Sequence, residues 1–336
     1  MATEFGALPD GRPVLRATIS GHGLTVSVIT LGASVQDMRL DGIDHPLVLG
    51  FATLDPYLGE GRYMGAIVGR YANRISHGRA VLDGQVLDLG RNQGGHHTLH
   101  GGADGSGTRN WMLAEVAPDM VALADRMPAG HMGFPGAMLV RAIYRILPGP
   151  VLKLTLLATS DELTLCNFAQ HSYFNLDGAP TVAAHSLHVP AKSWLPVDDD
   201  MIPLGPTAPV EGTHLDFRKP VLMATRLDGP PIDHNLCLST RRRVYPQKAA
   251  TLRAGRVSMS LRSTEPGLQV YTANHFSPRA PGIGGAPYGR HAGIALESQI
   301  WPDAPNHADY PSALLLPGQL YRQVTLLSFQ TAPATR

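Results

Sequence analysis

Charge of a single sign is what this chain most plainly lacks. Charged residues make up 16% of its 336 residues, and 28 lysines and arginines against 27 acidic residues leave a formal net charge of +1. No one-sign field is available to gather nucleic acid or to hold an anionic membrane, so neither is an expected partner. Cysteine is scarce as well. Cys166 and Cys237 each sit in an apolar stretch and read as buried free thiols, which excludes a disulfide framework. No run approaches the ~18 consecutive apolar residues of a membrane helix. The opening residues MATEFGALPDGRPVLRATIS lack a basic segment followed by an apolar one, so they do not read as a secretory signal. A cytoplasmic protein is the expectation.

Several catalytic signatures are missing too. GIGG at 282–285 is not GxGxxG and opens no strand–helix unit, which excludes a dinucleotide site. There is no P-loop and no GxSxG elbow. Ser172 beside His171 is no nucleophile–base pair, because neighbours on a strand face opposite sides. Amphipathic helices longer than about three turns are absent by the 3.6-residue test.

What is abundant is punctuation: 36 glycines and 28 prolines, both helix breakers. Between them lie segments of period two. Leu24, Val26 and Val28 alternate with Thr25 and Ser27. Residues 80–82 and 85–89 flank Asp83-Gly84, a pair suited to a hairpin turn with positive φ. Residues 138–147 alternate apolar side chains with Arg141 and Arg145, Pro148-Gly149-Pro150 follows, and Leu152, Leu154 and Leu156 resume the pattern. VSMSLRS (257–263), a Pro266-Gly267 turn and LQVYT (268–272) predict another strand–turn–strand unit, and 323–329 a closing strand. The glycine- and proline-rich stretch 277–291 reads as a surface loop. The expectation is all-β: one large antiparallel β-sandwich, with residues 1–336 forming a single domain.

Four polar segments stand out from this pattern: GRYANRI (69–75), NQGGHHTLHGG (92–102), QHSYFNLDG (170–178) and LESQIWPDAPN (296–306), with a shorter Asp233-His234-Asn235. His96, His97 and His100 admit three readings. They are metal ligands, or solvated loop residues, or His100 alone turns inward where its glycines let the backbone approach a ligand. No carboxylate at short spacing completes a metal set. His171 ends an apolar strand-like run, where a rigid scaffold presents functional groups. Glu297 ends the run GIALE; a carboxylate there is costly to bury unless offset, so it reads as a strand-edge glutamate in solvent or as one paired with Arg74, and burial would raise its pKa and make it a candidate base.

These segments together resemble the aldose 1-epimerase (galactose mutarotase) family. GRYANRI, TLHGG, HSYFNLDG, DHN, LESQIWPDAPN and the tail YPSALLLPGQLY match its motifs in the family's order, and GFPG at 133–136 also fits. The departures are the extra histidines of GGHHTLHGG and the serine and tryptophan within LESQIWPDAPN. The resemblance implies a β-supersandwich and a cofactor-free isomerase interconverting the α and β anomers of a free sugar. It implies His171 as general acid and Glu297 as general base, with Asn73, Arg74, His100, Asp233 and Gln299 holding the sugar. Trp301 and Phe174 each read either as core residues or as a side chain packed on a sugar face. Reference pKa values near 4.3 and 6.5 for the base and acid call for a modest upward shift of the histidine. Rival readings are a hexose-6-phosphate epimerase drawing on Arg241-Arg242-Arg243, a non-catalytic carbohydrate-binding protein, and a cupin-like metal enzyme. Neither the preferred sugar nor the oligomeric state is legible.

Overall fold

A computed structural model describes residues 2–332. Its helical content among these residues is one short α-helix, Asp55–Leu58, and six single 3-10 turns. The alternating segments are strands; Met138–Leu147 and Val257–Ser263 have the predicted bounds, while Val151–Ser160 and Tyr321–Thr331 run further than the alternation suggests. Met138–Leu147 pairs with Val151–Ser160 through an unbroken antiparallel register, from Met138 opposite Ser160 to Leu147 opposite Val151. Arg79–Leu82 and Gln85–Asp88 form the hairpin, with Asp83 and Gly84 at φ 49° and 76°. Both central residues have the positive φ of a turn whose twist matches its strands.

Three antiparallel sheets carry most of the chain. A nine-stranded sheet runs Met112–Ala117, Met120–Met127, Met138–Leu147, Val151–Ser160, Tyr321–Thr331, Val257–Ser263, Gln247–Ala254, Ser186–His188, Val221–Leu222. A six-stranded sheet runs Tyr173–Phe174, Ile294–Gln299, Gly267–Tyr271, Asp233–Cys237, Ser193–Trp194, Ala208–Pro209. The four strands of residues 2–40 form the third. One core cluster joins them. Val140, Tyr144, Leu154, Leu261 and Leu327 come from the nine-stranded sheet, Leu236, Leu268, Val270, Ile294 and Leu296 from the six-stranded sheet, and Val26, Val28 and Met38 from the third.

One expectation fails. Val257–Ser263 and Gly267–Tyr271 are both strands, but they are not a hairpin: the first belongs to the nine-stranded sheet and the second to the six-stranded sheet. Residues 264–266 carry the chain across the core between layers. Thr264 N–H donates to Val324 O and buried Glu265 receives Arg242 Nε at 3.0 Å, so this crossing is tied to the sheet it leaves. A pairing partner is set by tertiary contacts, which strand-forming character does not encode.

Period two also decides which face of the six-stranded sheet is polar. Leu236, Leu268 and Leu296 point into the core, so their neighbours point away. Register then lines up Asn235, Gln269 and Glu297 across three strands, with Asp233 and Tyr271 alongside on the same face.

Candidate active site

Glu297 stands on that polar face, 2% exposed, in the middle of Ile294–Gln299. Opposite it in register is Gln269, whose Nε2 donates to Asp233 Oδ1 at 2.6 Å. His171 arrives from another element. It follows Ala169–Gln170, which pairs with Ile67–Val68, and its backbone is held on both sides: its N–H donates to Ala66 O, and its O accepts from Gly65 N–H. The result puts His171 Nε2 3.6 Å from Glu297 Oε1.

Asn73, Arg74 and His100 come from the GRYANRI and TLHGG segments, which pair as Arg74–Ile75 with Thr98–Leu99. Asn73 and His100 both have positive φ, 64° and 52°. They leave the ladder together and bond each other: His100 N–H donates to Asn73 O at 3.0 Å, and Asn73 N–H donates to His100 Nδ1 at 3.1 Å. The second bond selects a tautomer, since an acceptor Nδ1 leaves the proton on Nε2. Gly101 lies against Gly69, where a Cβ would meet Gly69 O at 2.0 Å; this close approach is what the glycine permits. The LESQIWPDAPN segment props the same element from behind. Asp303 N–H donates to Arg74 O, Ser76 N–H donates to Asp303 Oδ1, and Tyr71 Oη donates to Trp301 O. Arg74 Nε donates to Gln93 Oε1 at 2.9 Å, and its Nη2 lies 4.0 Å from Asp233 Oδ2.

Of the residues expected in the site, His171, Glu297, His100, Asn73, Arg74 and Asp233 are therefore linked by direct contact. One ring nitrogen each of His100 and His171 and a Glu297 oxygen all lie within 4.8 Å of one another, and the two rings meet edge-on at 5.3 Å. Gln299 shares Glu297's strand and face but sits opposite Gly267 and makes no side-chain hydrogen bond; it is Gln269 that holds Asp233. Gln269 was not foreseen because LQVYT offers nothing beyond strand alternation. Gln93 was passed over for the histidines beside it. The wall packed on these groups is tyrosine: Tyr63 on His100 and Tyr173 on His171, with centroids 5.0 and 5.1 Å apart. Trp301 and Phe174 do not serve there. Phe174 is in the main core, and Trp301 packs with Leu195 and Tyr310 while donating Nε1–H to Pro266 O. Outward of Arg74 and Asp233 opens a cavity of about 500 Å³, within the ~300–1,000 Å³ range of small-ligand sites.

The electrostatics correct one expectation. Burial pushes His171 down to about 4, where an upward shift was anticipated, and it pushes Glu297 well above the carboxylate range, with nearby Asp233 adding to the rise and Arg74 opposing it. Removing a group from water disfavours its charged form, which lowers a histidine and raises a carboxylic acid. Burial thus favours a protonated Glu297 beside a neutral His171. His100 is lowered well below its usual range by burial and by His171. As for the triple arginine, Arg242 is not a solvated charge. It bonds Glu265 and lies over the Tyr321 ring at 4.2 Å, and none of Arg241, Arg242 and Arg243 lines the cavity.

Known proteins resemble this chain over nearly its whole length. The aldose 1-epimerase family profile matches residues 16–328. A galactose mutarotase from Mus musculus is 36% identical over 340 residues, covering 98% of each chain. An aldose 1-epimerase from Escherichia coli is 33% identical over 345 residues, covering 98% of this chain and 99% of its own. A crystal structure of a GalM/aldose epimerase homologue from C. elegans superposes with TM-score 0.88 at 28% identity, covering 95% of this chain and 99% of the other. With its fold, the order of its motifs and near-full-length relatives in agreement, this chain belongs to the aldose 1-epimerase family and is an isomerase of the mutarotase type.

Proposed function

We propose that Glu297 and His171 are the base and acid of anomer interconversion in a free aldose, and that Arg74, Asp233, His100, Asn73 and Gln269 hold the sugar. The observation that carries this reading is the 3.6 Å approach of a buried imidazole to a buried carboxyl group, on the sheet face that also carries Gln269 and Asp233. Opening a cyclic hemiacetal takes a proton from the C1 hydroxyl and gives one to the ring oxygen. Glu297 takes the first and His171 supplies the second. Rotation about C1–C2 and return of both protons close the ring as the other anomer. No bond to the protein forms and no electrons leave the sugar.

The pKa directions fit this cycle in its second half. Ring opening moves one proton onto Glu297 and one off His171, so the pair keeps the same proton count throughout. Burial favours the distribution that belongs to the open-chain sugar. Arg74, which lowers Glu297 electrostatically, favours the other distribution. A pair whose two forms are both reachable suits a reversible reaction, and each proton transfer is typically worth ~10²–10⁴-fold. His100, fixed as an Nε2–H donor, is suited to a sugar oxygen and not to a cation.

Free sugar is favoured over hexose 6-phosphate because the three consecutive arginines lie off the cavity, Arg242 being engaged by Glu265. The core cluster shared by all three sheets supports reading residues 1–336 as one domain. No helix among the described residues is long and apolar enough to cross a membrane, and Cys166 and Cys237 are free and buried, as suits a reducing cytoplasm. Polarimetry on freshly dissolved α-anomers of several aldoses, alongside their 6-phosphates, tests the assignment. Faster approach to anomeric equilibrium with the free sugars is expected, and acceleration confined to the phosphates would overturn it.

A further inference from the structure

The two histidines that depart from the family pattern are not at the catalytic centre. His96 is exposed on the surface, while the His97 side chain is 5% exposed and points elsewhere. His97 Nδ1 accepts from His77 N–H at 3.0 Å, which leaves the ring proton on Nε2. Nε2 is buried and has no hydrogen-bond partner within ordinary geometry; Asp200 Oδ2, on a separate loop, lies 3.4 Å away. His77 and His96 are the other titratable groups packed on this ring, at centroid distances of 5.3 and 6.3 Å.

Asp200 belongs to a tight loop. Asp198 Oδ1 accepts from the N–H groups of Asp200 and Ile202, Asp198 N–H bonds Ile202 O, and Met201 takes φ 64°. Val197 and Pro203 bridge its base. Asp199 and Met201, on either side of Asp200, form part of the wall of the cavity that opens from Arg74 and Asp233. On the other side of the contact, the backbone of His97 bonds that of Gln93, the residue that receives Arg74 Nε. The His97–Asp200 contact thus joins the loop that walls the cavity to the loop that seats Arg74.

We infer that His97 is a positioning residue: through Asp200 it keeps segment 198–201 closed on the sugar cavity, and so governs how firmly sugar is held without touching it. This inference rests on the sugar-site reading above. It predicts a split in kinetics. Acid and base are untouched when the contact is lost, so kcat stays within about two-fold while KM rises roughly 2- to 5-fold, the scale of a partly exposed polar contact.

Asp200 is 72% exposed, so its replacement does not threaten folding. The test is Asp200→Ala, with His97→Leu and His97→Gln beside it, read by polarimetric kinetics and by hydrogen exchange of the 198–202 amides. Asp200→Ala and His97→Leu should raise KM and speed exchange, the double variant should be no worse than the worse single, and His97→Gln, which can accept from His77 and donate to Asp200, should restore both readouts. Wild-type KM in Asp200→Ala overturns the inference, as does faster exchange with KM unchanged. Should the wild type anomerise no sugar, the functional reading fails on its own, and the exchange data still decide whether the contact holds the loop.

Discussion

Nε2 of His171 stands 3.6 Å from Oε1 of Glu297, and burial moves the proton affinities of the two groups in opposite directions. The pair consequently works with one proton shared between two groups. Its titration belongs to the pair, so the limbs of a pH profile are macroscopic values.

That gives a pH prediction with a definite sign. On the acid side the pair fails when His171 takes a second proton, near pH 4. On the alkaline side it fails when Glu297 loses the only proton, above the ordinary carboxylate range. The profile of kcat/KM against pH should therefore be bell-shaped with its acid limb near 4 and a broad top through neutrality. An acid limb near 6.5 would mean that His171 is not held neutral by burial.

A stability prediction follows from the same burial. Glu297's folded pKa is raised above its usual 4.5, so the protonated form stabilises the fold fully below that value, and the advantage is lost as pH rises through the folded pKa. Glutamine is neutral at every pH and keeps the advantage. Glu297→Gln should melt at a higher temperature than wild type at pH 8, with the difference closing as pH falls to about 4. Equal melting temperatures at pH 8 would show that the carboxylate is better solvated than its burial implies.

Binding by the outer groups is tested at Arg74 and Asp233. Arg74→Ala and Asp233→Asn should each lower kcat/KM by the worth of a charge-assisted hydrogen bond, about 1.5–3 kcal/mol, or roughly 10- to 150-fold. Gln269→Leu should resemble Asp233→Asn, since it removes the amide that holds Asp233 Oδ1 at 2.6 Å. Wild-type kinetics in any of the three removes that residue from the sugar site.

Metal removal should have no effect. His100, His171 and Glu297 could converge on an ion, but Asn73 N–H occupies His100 Nδ1 and leaves a proton on the nitrogen an ion would need. Chelation and dialysis should leave activity intact and elemental analysis should find no stoichiometric metal. Activity lost on chelation and restored by a divalent cation would contradict the acid–base account.

Legibility in the sequence followed the range of the interactions involved. Strands such as Met138–Leu147 were readable to the residue because one face is buried and alternation records it. The route of the chain at 264–266 was not, since Ser263 and Gly267 go to different sheets for reasons that lie in Val324 and Arg242. Likewise, His171 and Glu297 could be picked out as titratable groups in unusual surroundings. Gln269 could not: only register across three strands sets it between Glu297 and Asn235. The downward direction of His171 was missed because it depends on how completely Tyr173 and the neighbouring elements exclude water. His97 was visible as an extra histidine, but its partner Asp200 lies on a loop that no local pattern joins to it.

The most direct test of the account is the anomerisation rate of Glu297→Gln, measured by polarimetry on the best free sugar of the wild type with the fold checked by circular dichroism. Glutamine keeps the size and packing of the side chain but can neither take nor return a proton. A folded variant whose kcat falls by at least ~10²-fold, with His171→Asn falling comparably and the double variant little worse than the worse single, is the predicted result. A folded Glu297→Gln enzyme that anomerises sugar at close to the wild-type rate would contradict the assignment of base and acid.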